Sequence, residues 1–174
     1  MEWQYFPRSR QLPNHLEVLI ANVRPSLDAI RDGGNLMVSN KVLAQVAIPL
    51  RTLGYQVEDP GPPKIKISRP VLFGINGNVE KSFEVDAFHE PTGTIIEVEA
   101  GRAVVNNQFL KDLFEACTIQ SANYLVIMVL SEYKPASKKQ SPNRDFKTVV
   151  NFIETLYSSG RLELPLDGIL VVGY

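Results

Sequence analysis

Apolar positions recur at helical spacing in four stretches of the chain and at strand spacing, or as unbroken runs, between them. Leu16, Leu19, Ile20, Val23, Leu27 and Ile30 share one face of a first helix that Asn14 can cap. Pro25 falls inside that pattern and predicts a kink or interruption, and Asp32-Gly33-Gly34-Asn35 is a break. Val42, Leu43, Val46, Leu50 and Leu53 mark a second helix, opened by Ser39, bent near Pro49 and stopped by Gly54. A third follows from the spacing of Phe109, Leu110, Leu113, Phe114 and Cys117, with Asn106 or Asn107 as its cap. Gln108, Lys111, Asp112 and Glu115 then face away from its apolar side. Phe146, Val149, Val150, Phe152, Ile153 and Leu156 mark a fourth helix, from about Asp145 to Tyr157, ended by Gly160.

Strand signals fill the rest. Tyr55 to Glu58 is a short strand entering a Pro/Gly loop, and Val71-Leu72-Phe73 is another. Asn76-Gly77 is a hairpin signal feeding Phe83 to Phe88, which the turn Glu90-Pro91-Thr92-Gly93 joins to Thr94 to Glu99. Tyr124 to Leu130 is an unbroken apolar run, the pattern of a strand buried on both faces, and Gly168 to Val172 is a short terminal strand. The order α-α-β-β-β-β-α-β-α-β predicts a mixed α/β domain spanning 1–174 around one central sheet, with a right-handed strand-helix-strand crossover. Residues 1–13 read as an irregular arm, in which Trp3, Tyr5 and Phe6 stand beside Arg8 and Arg10 and pack on the domain or on a partner subunit.

The chemistry concentrates between Phe83 and Gly101. Alternation puts Glu97 and Glu99 on one face of their strand and Ile96 and Val98 on the other. Asp86 shares a face with Glu84, and a hairpin of this length brings Asp86 beside Glu97. Two ionised carboxylates ~4–5 Å apart repel by roughly 3–4 kcal/mol at an effective dielectric near ~20. Such a group needs a cation, a proton or open solvent. A hard divalent ion is the functional answer, because Mg²⁺ and Mn²⁺ take carboxylate oxygens; the plain alternative is the solvated polar face of a half-exposed strand.

Composition narrows the partners. A net charge of −1 gives no global attraction to nucleic acid or membrane, so a DNA-binding surface has to be a local basic patch. Two segments qualify: Lys64, Lys66 and Arg69, and the polar loop Glu132 to Arg144 with Lys134, Lys138, Lys139 and Arg144. Cys117 is the single cysteine, which excludes an intramolecular disulfide. With a start, Met1-Glu2-Trp3-Gln4, that lacks a basic region and an apolar run, this points to a reducing, cytoplasmic setting. His15 and His89 are too few and too far apart for a zinc site. No apolar run approaches the ~18 residues of a membrane span.

Asp86 followed by Glu97-Val98-Glu99 on a hairpin, then a helix and a buried strand, resembles the PD-(D/E)xK, or restriction endonuclease-like, nuclease superfamily. The resemblance covers roughly Ser39 to Leu130. It implies a core of helix, three antiparallel strands, helix and further strand, with Ser39 to Leu53 and Asn107 to Ile119 as the two helices. Asp86 matches the metal-binding Asp of that motif and Glu97 its second acid. Glu99 stands where Lys is usual, as in the Glu-x-Glu variant of some restriction endonucleases, and Val85 replaces Pro. Ser39 to Leu53 lacks the acid that many members place there, leaving Asn40 as a polar substitute, and Lys111 is the one lysine of the second helix. The resemblance implies a Mg²⁺-dependent, alternatively Mn²⁺-dependent, DNA endonuclease of restriction or defence type, acting as a homodimer on both strands. Asp86, Glu97 and Glu99 would be metal ligands and catalytic groups, with Glu84 as an outer residue. The alternative is a catalytically inactive nuclease-fold protein that binds nucleic acid or another protein; a structural or regulatory domain with a solvated acidic face is a third reading.

Overall fold

The computed structural model describes residues 1–32, 37–59, 61–101, 103–104, 106–132 and 143–174. Its elements are β1 (Glu2–Phe6), α1 (Asn14–Asp32), α2 (Ser39–Thr52), β2 (Gln56–Val57), β3 (Ile67–Phe73), β4 (Val79–Val85), β5 (Ala87–His89), β6 (Thr94–Glu99), α3 (Gln108–Thr118), β7 (Tyr124–Val129), α4 (Asp145–Ser159) and β8 (Gly168–Gly173). Six strands form one mixed sheet in the order β1-β8-β7-β6-β5-β2, and β3 and β4 form a separate two-stranded sheet. The protein is therefore mixed α/β. Among the described residues no helix is long and apolar enough to cross a membrane.

The three central strands β6, β7 and β8 run parallel. Helices α3 and α4 make the two crossovers, and both lie on the same face of the sheet. That face buries Ile95, Leu125, Ile127, Val129, Ile169 and Val171 against Phe109, Leu113, Val149 and Ile153. Helices α1 and α2 cover the opposite face, packing Leu16, Val23, Leu27, Leu43, Val46 and Leu50 over Ile96, Val98, Val126, Met128, Leu170 and Val172. Strands β7 and β8 are apolar throughout because both of their sides are covered, as parallel central strands require.

Three expectations change. The arm at residues 1–13 is not irregular: β1 pairs antiparallel with β8, from Glu2 opposite Gly173 to Phe6 opposite Ile169. Its Tyr5 and Phe6 point into the two opposite cores, and the Tyr5 hydroxyl lies 2.1 Å from where a Cβ on Gly168 would sit. Pro25 does not interrupt α1, which runs continuously from Asn14 to Asp32. The proline is on the exposed side, where water can take the carbonyl that a missing N–H leaves unpaired. The stretch Phe83 to Phe88 is two strands, not one. The chain leaves the two-stranded sheet at Val85 and enters the central sheet at Ala87, with Asp86 at the crossing point.

Both turns of this region form as expected. Asn76 (φ 58) and Gly77 (φ 74) take the left-handed conformation in the turn joining β3 to β4. Gly93 (φ 60) closes the turn between β5 and β6, where a Cβ would stand 2.5 Å from the Ser121 carbonyl oxygen. Neither helix cap behaves as its residue type suggests. Asn107 precedes α3 in a left-handed conformation without a side-chain cap bond, and Ser39 Oγ instead accepts the Ala100 N–H at 3.0 Å. The break at Gly33 to Asn35 and the loop lysines Lys134, Lys138 and Lys139 lie outside the described residues; Arg144 immediately precedes α4.

Candidate functional site

Strand β6 carries the site. Its pairing with β5 sets Ala87 opposite Ile96, Phe88 opposite Ile95 and His89 opposite Thr94, so Asp86 stands across from Glu97. The Val98 N–H donates to Asp86 Oδ2 at 2.8 Å, and the Glu58 N–H donates to the Asp86 carbonyl at 2.8 Å. These bonds hold the residue at the sheet crossing. Ile96 and Val98 enter the core beneath α1 and α2. Alternation turns Glu97 and Glu99 to the other side, beneath α3.

Helix α3 brings two more carboxylates. Its buried residues are Phe109, Asp112, Leu113, Glu115 and Ala116, with Asp112 only 3% and Glu115 5% exposed. The expected polar side of this helix is thus partly its buried side, while Phe114, expected in the core, is exposed and meets Phe83 edge-on. The signal was present in the spacing: 109, 112, 113 and 116 form the i, i+3, i+4, i+7 stripe of a core-facing helix. Counting only apolar residues shifted that stripe towards Phe114 and Cys117. Lys111 pairs with Glu115 at 3.2 Å; among the described residues Lys111, and for Asp86 also Lys66, are the cations that act on the cluster Asp86, Glu97, Glu99, Asp112 and Glu115.

The electrostatics follow from that imbalance. Burial first, then the charges on Asp86, Asp112 and Glu115, hold Glu97 well above the usual carboxylate range, with Lys111 opposing. Burial pushes Asp86 up to about 6 against the Val98 hydrogen bond, which lowers it. Glu99 rises to about 7 through burial and the charge on Asp86. Asp112 rises to about 8 through burial and the charge on Glu99. Its Oδ2 is buried without a hydrogen-bond partner. The Tyr174 hydroxyl donates to the Glu99 carbonyl at 3.1 Å, tying β6 to the end of β8.

The remaining residues of the sequence reading lie differently. Glu84 is exposed and paired with Lys66, which holds its carboxyl below the usual range; it is an ion-pair residue of the two-stranded sheet. Asn40 is exposed, and its neighbour Ser39 makes the contact with the end of β6. The basic segment 64–69 is matched by acids: Lys66 also meets Glu58 at 3.1 Å, Lys64 meets Glu58 at 3.9 Å, and Arg69 pairs with Glu90 while stacking over Phe88.

Among the described residues no group of three or more His, Cys, Asp or Glu side chains is placed to hold a metal ion. Mg²⁺ sites commonly use one or two carboxylates and complete the shell with phosphate and water. No protein-family model matches the chain, and neither a curated protein nor a solved structure matches it.

Proposed function

We propose that the protein is a divalent-metal-dependent DNA endonuclease of the restriction endonuclease-like class, with the metal held by Asp86, Glu97 and Glu99. The observation that carries this reading is the group of buried carboxylates between β6 and α3, which outnumber the lysines facing them among the described residues, Lys66 and a Lys111 that is itself paired with Glu115. Buried charge without a partner costs several kcal/mol in proteins (order of magnitude) and is kept where it coordinates or reacts. All the donors are hard carboxylate oxygens, the set suited to Mg²⁺ or Mn²⁺. When bound, such an ion lowers the pKa of a coordinated water and stabilises negative charge on a phosphate.

The chain's own residues divide the remaining work. Asp86 gives one oxygen to the Val98 N–H, which fixes the carboxylate and leaves the other oxygen free to coordinate. Glu97, the most enclosed of the three, supplies a ligand that water does not easily displace. Glu99 is half-buried and stands where Lys is usual in this class. Its carboxylate is the group placed to accept a proton from the attacking water. The water oxygen bonds to phosphorus, the P–O bond to one sugar breaks, and the departing sugar oxygen takes a proton from solvent water, leaving a 5′- or 3′-phosphate and a hydroxyl end. Cutting both strands at a symmetric sequence calls for a two-fold homodimer.

A second reading, an inactive nuclease-fold protein that binds nucleic acid or protein, draws on Lys111: its ion pair with Glu115 leaves no free lysine on α3 for catalysis. Plasmid cleavage separates the two. Supercoiled DNA is incubated with wild type and Asp86→Asn, each with Mg²⁺, Mn²⁺ or EDTA. The proposal expects metal-dependent nicking that falls about a hundredfold or more in Asp86→Asn, the scale of several kcal/mol of metal stabilisation. Metal binding without cleavage by the wild type selects the inactive reading.

A further inference from the structure

We propose that Phe83 on β4 and Phe114 on α3, with Lys81 beside them, form a stacking platform for an unpaired nucleobase of a DNA strand held at the buried acids. The inference rests on the nuclease reading for the nature of the polymer. It deepens that reading by naming the state of the strand that the site takes.

The buried stripe of α3 is filled by Phe109, Asp112, Leu113 and Ala116. Phe114 is left outside it and stands 61% exposed. Its ring nevertheless has a fixed neighbour: it meets Phe83 edge-on, with centroids 6.3 Å apart and planes at 78°. Phe83 is partly buried and packs against the core on the α3 side, which roots the platform in the fold. Lys81 Nζ lies 4.9 Å from the centre of the Phe83 ring. Lys81 is exposed and makes no ion pair among the described residues. A single exposed apolar side chain is ordinary at a surface. Two touching aromatic rings beside a cation without an acid partner present a π-face and a positive charge together.

The platform also flanks the acids. Phe83 precedes Asp86 by three residues of extended chain, about 10 Å. Phe114 directly precedes Glu115, whose charge acts on Glu97. A DNA strand carries both complements to this surface, a flat base for the rings and a phosphate for the Lys81 ammonium. An apolar peptide would answer the rings and leave Lys81 unmatched. Stacking on aromatic side chains needs an uncovered base face. In an intact duplex both faces of every internal base are covered by its neighbours. The rings therefore receive a base from a single strand, or one turned out of the helix.

The test is fluorescence anisotropy of the full chain in EDTA with a labelled oligothymidylate and with a duplex of the same length. Wild type, Phe114→Ala, Phe114→Trp and Lys81→Gln are compared, with thermal melting as the folding control. Wild type is expected to bind the single strand more tightly than the duplex. Phe114→Ala should weaken single-strand binding about tenfold or more and leave duplex binding unchanged, and Phe114→Trp should restore it. Lys81→Gln should lower the slope of log affinity against log salt by about 0.7 for the single strand. A wild type that binds neither form, or binds the duplex as well as the single strand, overturns the platform. So does a Phe114→Ala variant that binds the single strand as wild type does. Metal-dependent plasmid nicking by a protein without the single-strand preference overturns the platform and leaves the nuclease reading standing. Single-strand binding that Phe114→Ala removes, in a protein that never nicks, keeps the platform and counts against the nuclease.

Discussion

Strand β6 presents its two sides to two helical layers, and the layers are built from different chemistry. Towards α1 and α2 it offers Ile96 and Val98, 0% and 2% exposed, in a core of aliphatic and aromatic side chains. Towards α3 it offers Glu97 and Glu99, and α3 answers with Asp112 and Glu115. The buried carboxylates described here, including Asp145 at the start of α4, all belong to α3, α4 or the strand face beneath them. Burial is equally deep on both sides, so depth is not what distinguishes them. The α1 and α2 side is lined almost wholly by apolar side chains, with His15 Nε2 a buried polar atom that lacks a partner; the α3 side gathers Glu97, Glu99 and Asp112, which burial and one another's charge hold above the usual carboxylate range. That asymmetry separates the side that holds the fold together from the side available for chemistry.

Moving a carboxylate to the other side is the harshest way to break the comparison. Val98→Asp would place an uncompensated charge in the apolar layer, at a cost of about 3–5 kcal/mol. At roughly 2–4 °C per kcal/mol for a chain of this size, the melting temperature should fall by about 10 °C or more. A Val98→Asp variant that melts with the wild type would show that the two sides do not differ. The reverse change sharpens the comparison. Glu97→Gln keeps the shape and removes the charge, so the metal-free variant should be more stable than wild type at about pH 8, by ~1–3 kcal/mol. Below the ordinary carboxylate pKa both states of Glu97 are protonated and the gain should vanish. Thermal melts at the two pH values check it. The smallest effect belongs to the exposed pair. Glu84→Gln breaks the contact with Lys66 and should change stability by less than about 1 kcal/mol, since surface ion pairs contribute little.

The same asymmetry decides what could be read from the sequence. Helices and buried strands follow from apolar spacing, and α2, α3, β6, β7 and β8 stand within a residue or two of where that spacing sets them. The acids of β6 were equally legible, because strand alternation assigns Glu97 and Glu99 to one face without any tertiary information. Asp112 and Glu115 were not. A method that locates a helix's buried stripe by its apolar residues reads an acid as outward-facing, and the two positions where α3 departs from that rule lie at the candidate site. β1 was missed for another reason: Trp3, Tyr5 and Phe6 are residue types that strands favour, but the segment is short, carries Glu2 and Gln4, and finds its partner only in β8 at the far end of the chain. Asp86 was legible as an acid beside Glu97, whereas the change of sheet at that residue depends on β3 pairing with β4 while β2 and β6 pair with β5.

The central claim is that the acidic side of β6 is a cation site rather than a solvated surface. Thermal unfolding of the wild type across pH, with and without millimolar Mg²⁺, tests it most directly. Asp86, Glu99 and Asp112 have raised pKa values of about 6, 7 and 8 in the folded protein. The folded state therefore binds more protons than the unfolded chain between the ordinary carboxylate range and about pH 8, and stability falls as pH rises through that window. The account predicts a metal-free melting temperature that drops from about pH 5 to about pH 8, and a rise on adding Mg²⁺ that is large at the upper pH and absent at the lower. A flat pH profile that Mg²⁺ leaves unchanged would contradict it.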